Sequence, residues 1–162
     1  MSQHDHSPEQ AAVADPVARA VAVAGLAGVA LIHLLDAHDT FVASTYKGWL
    51  YVGLIAGSLL TAGALLRRPD RRAWLAAIVL PLGAFVAFVW SRTVGLPHGA
   101  DDIGNWWEPL GLASLFVEAS VTAVGASVFQ RARRSVRRPG LLRDVPVEVG
   151  GQLPALVGVV RR

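Results

Sequence analysis

An all-α fold, an antiparallel four-helix transmembrane bundle, is what this sequence predicts, and three observations predict it. Four stretches of about 20 residues carry almost no charge, which is the length needed to cross ~30 Å of hydrocarbon. Tryptophan and tyrosine stand near the ends of those stretches, where an interface favours amphipathic rings. Nearly all the basic residues are gathered in blocks between and after them.

The first span is expected at about 16–38. Asp15 followed by Pro16 is a good helix opening, a capping carboxylate and then an imino acid at the first helical position. The second is expected at about 48–66, with Trp49 and Tyr51 at its start and Arg67-Arg68-Pro69 closing it. The third is expected at about 73–94, with Trp74 and Trp90 near its ends and Gly95-Leu96-Pro97 stopping it. Pro81 lies inside it, removes one helical hydrogen bond and predicts a local kink. The fourth is expected at about 109–130, opened by Trp106-Trp107 and closed by Arg131, Arg133 and Arg134. Residues 16–134 then form one membrane domain, preceded by a short segment at 1–15. A basic tail follows at 135–162, where Arg, Pro, Gly and Val mix without a period and disorder is expected.

The composition agrees. Of 162 residues, 53% are hydrophobic, above the usual soluble range, and the mean hydropathy is +0.44. There is no cysteine, which excludes disulfides, thiolate metal sites and cysteine nucleophiles. The sequence pI is near 10.2, but the basic residues flank apolar spans without interleaved aromatics, so membrane topology explains them and nucleic acid does not. Met1 to Glu9 holds no Lys or Arg and is not the basic start of a cleavable signal peptide. One lysine against fourteen arginines, with abundant Ala, Val, Leu and Gly, is the bias of a high-GC bacterial genome.

Arginine placement predicts the orientation. Thirteen of the fifteen basic residues fall on one side: Arg19 at the first entry, four between the second and third spans, and eight after the fourth. Lys47 and Arg92 fall on the other. The richer side is expected in the cytoplasm, which puts both termini there and makes the chain a multi-pass protein of the cell membrane.

Ionisable groups inside spans are costly and tend to face the bundle interior. The first such place is the end of the first span, where His33, Asp36 and Asp39 follow one another at three-residue spacing on one face, with His38 beside them. Imidazole and carboxylate suit a transition metal or a proton relay. The plainer reading is a histidine satisfied by Asp36 or a hydroxyl. The second place is Glu118, roughly 13 Å into its helix and near the midplane. Gly111, Ser114, Glu118, Thr122 and Gly125 make one small and polar stripe that must turn inward. Its plainer reading is a protonated acid bonded across the bundle. Gly53 and Gly57 on the second span, with Thr61 continuing their row, predict another close helix approach.

The third place is Arg92, roughly 3 Å from the outer helix end. It either snorkels to the head groups or pairs with a carboxylate, and Asp36 is the expected partner. The connection beyond it adds His98, Asp101, Asp102 and Glu108, read as a solvated acidic loop or as further donors above the His33 cluster. His4-Asp5-His6 lies on the cytoplasmic side and does not join them.

No nucleotide-binding glycine pattern, H-E-x-x-H, catalytic-triad order or haem-attachment motif is present, so enzyme chemistry has no positive signal. The run Arg92-Thr93-Val94-Gly95-Leu96-Pro97, a short loop and a glutamate in the last helix resemble small, uncharacterised four-span bacterial membrane proteins. The arrangement is broadly similar to DoxX-like proteins over about 16–130; the resemblance implies the fold and no activity. The functional expectation is a cation site, for a transition metal or a proton, built from His33, Asp36 and Glu118, with His38, Asp39 and His98 nearby and Arg92 as electrostatic partner. Two alternatives stand beside it. One is a structural or assembly subunit, in a homo-oligomer or larger membrane complex, that docks helices through its glycine faces. The other is a carrier of a small lipophilic molecule.

Overall fold

The computed structural model describes residues 15–97 and 102–137. They form four helices and no strand: α1 Pro16–Ala43, α2 Thr45–Arg67, α3 Arg71–Thr93 and α4 Pro109–Arg137. All four are long and apolar enough to cross a membrane, as a multi-pass membrane protein requires. The basic tail beyond 137, the first fourteen residues with His4 and His6, and His98 and Asp101 lie outside the described residues.

Local chemistry sets the helix ends. The Asp15 carboxylate accepts from the Val17 and Ala18 amides at 3.0 and 3.1 Å, with Pro16 opening α1 where no amide is needed. Asp70 does the same for α3, accepting from the Ala73 amide at 2.8 Å. Ser44, in extended backbone, is the entire joint between α1 and α2. Pro81 is buried inside α3, and the helix continues through it.

Two expected ends are corrected. α1 runs to Ala43, more than a turn beyond His38, because Thr40, Phe41 and Val42 contain no helix breaker. α4 continues to Arg137, so the first residues assigned to the tail are helical.

The helices pack in the ring order α1–α2–α3–α4, and the α2–α3 seam is the least closely packed of the four. Neighbours run in opposite directions. Tyr51, early in α2, bonds to Asp36, late in α1. Arg131, late in α4, bonds to Asp15 at the head of α1 at 3.0 Å. One end of the bundle therefore carries the Ser44 joint and the α3–α4 connection. The other carries the helix-flanking arginines and is called here the arginine end.

Polarity is arranged for lipid. Leu34, Leu35, Leu60 and Phe116 point outward, the last 75% exposed, while Ser58, Thr61, Ser91 and Ser114 are buried. The apolar core gathers toward the arginine end around Leu26, Leu65, Trp74 and Val128. Trp74 is 0% exposed and so belongs to this core, although its place near a span end predicts an interfacial ring.

The glycines divide. A Cβ on Gly125 or Gly111 would stand 2.5 Å from Ile78 or Phe88 respectively, so α3 and α4 meet where those side chains are missing. At Gly57 the nearest atoms of Leu80 would be 3.3 Å away. Gly53 corrects the expected row: it is exposed with nothing within 4 Å, because that part of α2 faces outward.

Candidate functional site

The extra length of α1 changes the depth of His33. It lies ten residues before Ala43, roughly 15 Å from the helix end, and Glu118 lies nine residues after Pro109, roughly 13 Å down α4. Antiparallel helices bring the two to one level. His33 Nε2 stands 3.7 Å from Glu118 Oε1, and the residues are 7% and 1% exposed.

Each is held by its own helix. His33 Nδ1 is 2.9 Å from Val29 O. A carbonyl only accepts, so Nδ1 carries the hydrogen and Nε2 is the nitrogen left to face the carboxyl. Ser114, one turn before Glu118, donates its hydroxyl to Oε1 at 2.6 Å. Oε2 has no partner. The Tyr51 ring meets the imidazole at a steep angle of 74°, with centroids 4.7 Å apart.

Above this pair lies a cavity of about 450 Å³ with mostly apolar walls. Glu118 and His33 are among its deepest lining residues, and Asp36, Asp39, Arg92 and Glu108 line it nearer the connections. Asp36 accepts from the Tyr51 hydroxyl at 3.0 Å and from Thr40 at 3.2 Å. Asp39 is exposed at the rim. His38, also exposed, is not among the cavity's lining residues.

Arg92 corrects the expected pairing with Asp36. Its guanidinium is 6% exposed and reaches the α3–α4 connection instead, donating to the Asp102 carboxylate at 3.2 Å and to Glu108. It also donates to the Asp102 carbonyl at 3.3 Å and lies over the Phe88 ring, 4.7 Å from its centroid. Lys47, at the head of α2, bonds to the other Asp102 oxygen at 2.7 Å. The Tyr46 hydroxyl donates to Pro97 O at 2.9 Å. Asp102 and Glu108 are thus the counterions of the two basic residues at this end. Asp36 is left to hydroxyl donors because Tyr51 and Thr40 already surround it.

Positive φ at Gly95 and Gly104, 90° and 81°, turns the chain on either side of this connection. Carboxylates grouped near a lone arginine were the available sequence signal for the Arg92 network. Nothing local announced that Tyr51 turns inward to Asp36.

Among the described residues, no group of three or more His, Asp or Glu side chains is placed to hold a metal ion. His33 and Glu118 give two donors, and Asp36 is tied to Tyr51 and Thr40. What the arrangement can do is keep a proton between an imidazole and a carboxyl, and enclose a small molecule above them.

Four helices of membrane-spanning length thus enclose, toward one end, a cavity over a buried histidine–carboxyl pair. No protein-family model, curated protein or solved structure matches this chain.

Proposed function

We propose that this is a multi-pass protein of the cell membrane that holds a small ligand in its inter-helix cavity, above a His33–Glu118 pair carrying one proton. The observation that supports it most is the state of Glu118. A carboxyl 1% exposed, with one oxygen unpartnered, lines a cavity of about 450 Å³. A buried polar atom left open in this way is unfavourable unless something meets it, and the volume lies within the usual range for ligand sites. The cation reading thereby narrows to the proton, because the described residues offer no third metal donor.

Positive-inside asymmetry supports a cytoplasmic arginine end and a cavity that faces out. Kinship with DoxX-like proteins is proposed on the four-span order and the run Arg92–Pro97 alone.

Thermal unfolding in lipid nanodiscs against a panel of small amphiphiles tests the reading. At least one compound should stabilise the wild type and lose its effect in Leu54→Trp, which fills the cavity. If none stabilises the wild type, the cavity is a packing gap.

The second reading, an assembly subunit, is favoured by Gly53, a glycine on an exposed face with open space before it. It predicts that Gly53→Leu dissolves an oligomer and leaves ligand binding alone.

A further inference from the structure

Gly83 and Ala87 of α3 line the cavity and are nonetheless exposed, and so is Leu50 of the facing α2, 61% exposed. The cavity therefore opens sideways through the α2–α3 seam, which is also the least closely packed. A Cβ on Gly83 would meet nothing within 4 Å. Gly83 lies ten residues before Thr93, roughly 15 Å from the end of α3 and so about halfway through ~30 Å of hydrocarbon. A molecule dissolved in the lipid reaches the cavity here without crossing the α3–α4 connection.

The charges select what enters. Both basic residues of the lining are already matched, Lys47 by Asp102 and Arg92 by Asp102 and Glu108. Among the described residues, the other lining carboxylates, Asp36, Asp39 and Glu118, have no basic partner except His33 beside Glu118. An anion would meet uncompensated carboxylates, and Arg92 is held over Phe88 with its other side engaged. A cation would find the Glu118 carboxyl at the cavity floor, where the covered Oε2 has no hydrogen-bond partner among the described residues, and Leu54 and Leu110 would line the apolar body.

The geometry points to a lipid-soluble organic cation, an apolar body ending in an ammonium, that enters between α2 and α3 and sets its charge at Glu118 in place of the pair's proton, which leaves to water at the cavity rim. This rests on the ligand-cavity reading and names its ligand class.

Three probes of one shape and different charge test it: 4-phenylbutylamine, 4-phenylbutanol and 4-phenylbutyrate. Each is titrated calorimetrically into the protein in phosphatidylcholine nanodiscs, with empty discs subtracted. The amine should bind at least tenfold more tightly than the alcohol, and the butyrate should give no protein-dependent heat. Glu118→Gln should bring the amine down to the alcohol's affinity, and an unfolding midpoint like the wild type's shows that the variant is folded. Ala87→Trp, which narrows the seam, should weaken or slow binding of both.

Equal binding of amine and alcohol, or tightest binding of the butyrate, overturns the cationic class and leaves the ligand cavity standing. Binding that Ala87→Trp does not alter overturns the lateral route. If none of the three binds, this inference is overturned. The ligand-cavity reading falls with it only if the wider panel also fails to distinguish wild type from Leu54→Trp.

Discussion

His33 Nε2 and Glu118 Oε1 face each other at 3.7 Å near mid-membrane, on helices whose ends lie ten and nine residues away. With Nδ1 committed to Val29 O, a neutral His33 presents only a lone pair to the carboxyl. One proton between the two groups turns that opposition into attraction, and a water-poor setting makes its absence costly.

Glu118→Gln supplies a fixed donor in place of that proton. Its amide nitrogen, set where Oε1 stands, can donate to Nε2, while the Ser114 hydroxyl turns to a carbonyl of its own helix. Thermal unfolding in detergent should therefore show this variant as stable as the wild type or more so. Glu118→Ala, which removes the partner of both groups and opens more space, should lose about 2–4 kcal/mol. The reverse order would mean the pair is not held as described.

Arg92→Ala leaves Asp102 and Glu108 without their common counterion. Both carboxylates are about a third exposed, so water moderates the penalty to about 1–3 kcal/mol, below that of a fully buried pair. Arg92→Lys should recover only part, since one ammonium cannot copy the guanidinium's reach to both partners and its place over Phe88. Unfolding midpoints of the three proteins check the order arginine, lysine, alanine.

Gly125→Val and Gly53→Val separate an inward glycine from an outward one. The first should cost about 1–3 kcal/mol, because the new atoms overlap Ile78. The second should be near neutral in the monomer. Equal losses would contradict the α2 and α4 faces described above.

Much of this arrangement was legible in residue order, and the rest depended on facts that order does not carry. Charge-free runs bounded by arginine gave four helices because backbone in lipid must bond to itself. The charges at Asp36, His38 and Asp39 were misleading as a helix stop. Polar residues mark where water begins, whereas α1 ends only where Ser44 turns extended. That difference of more than a turn hid the alignment of His33 with Glu118.

Trp74 looks interfacial because position along a span says nothing of the angle around the helix. Arg92 has several carboxylates at similar depth, and choosing Asp102 and Glu108 over Asp36 depends on how the connection folds back. His38, Gly53 and Tyr51 are cases of the same angular ambiguity, which short polar segments do not resolve.

The absence of cysteine makes the orientation testable with single introduced thiols. Ser44→Cys, in the α1–α2 joint, should react with a membrane-impermeant maleimide added outside intact cells. Pro69→Cys, between α2 and α3, should react only after the membrane is opened. The opposite pattern would invert the bundle.

Access to Glu118 is the most direct test of the central claim that a cavity reaches this buried carboxyl. Glu118→Cys and Val121→Cys, both deep in α4, are treated with the small thiol reagent methanethiosulfonate ethylammonium. Modification is expected at 118, suppressed by Leu54→Trp, and none at 121, which belongs to the closed core. Equal protection of both positions, or modification at 118 that Leu54→Trp does not affect, would contradict that claim.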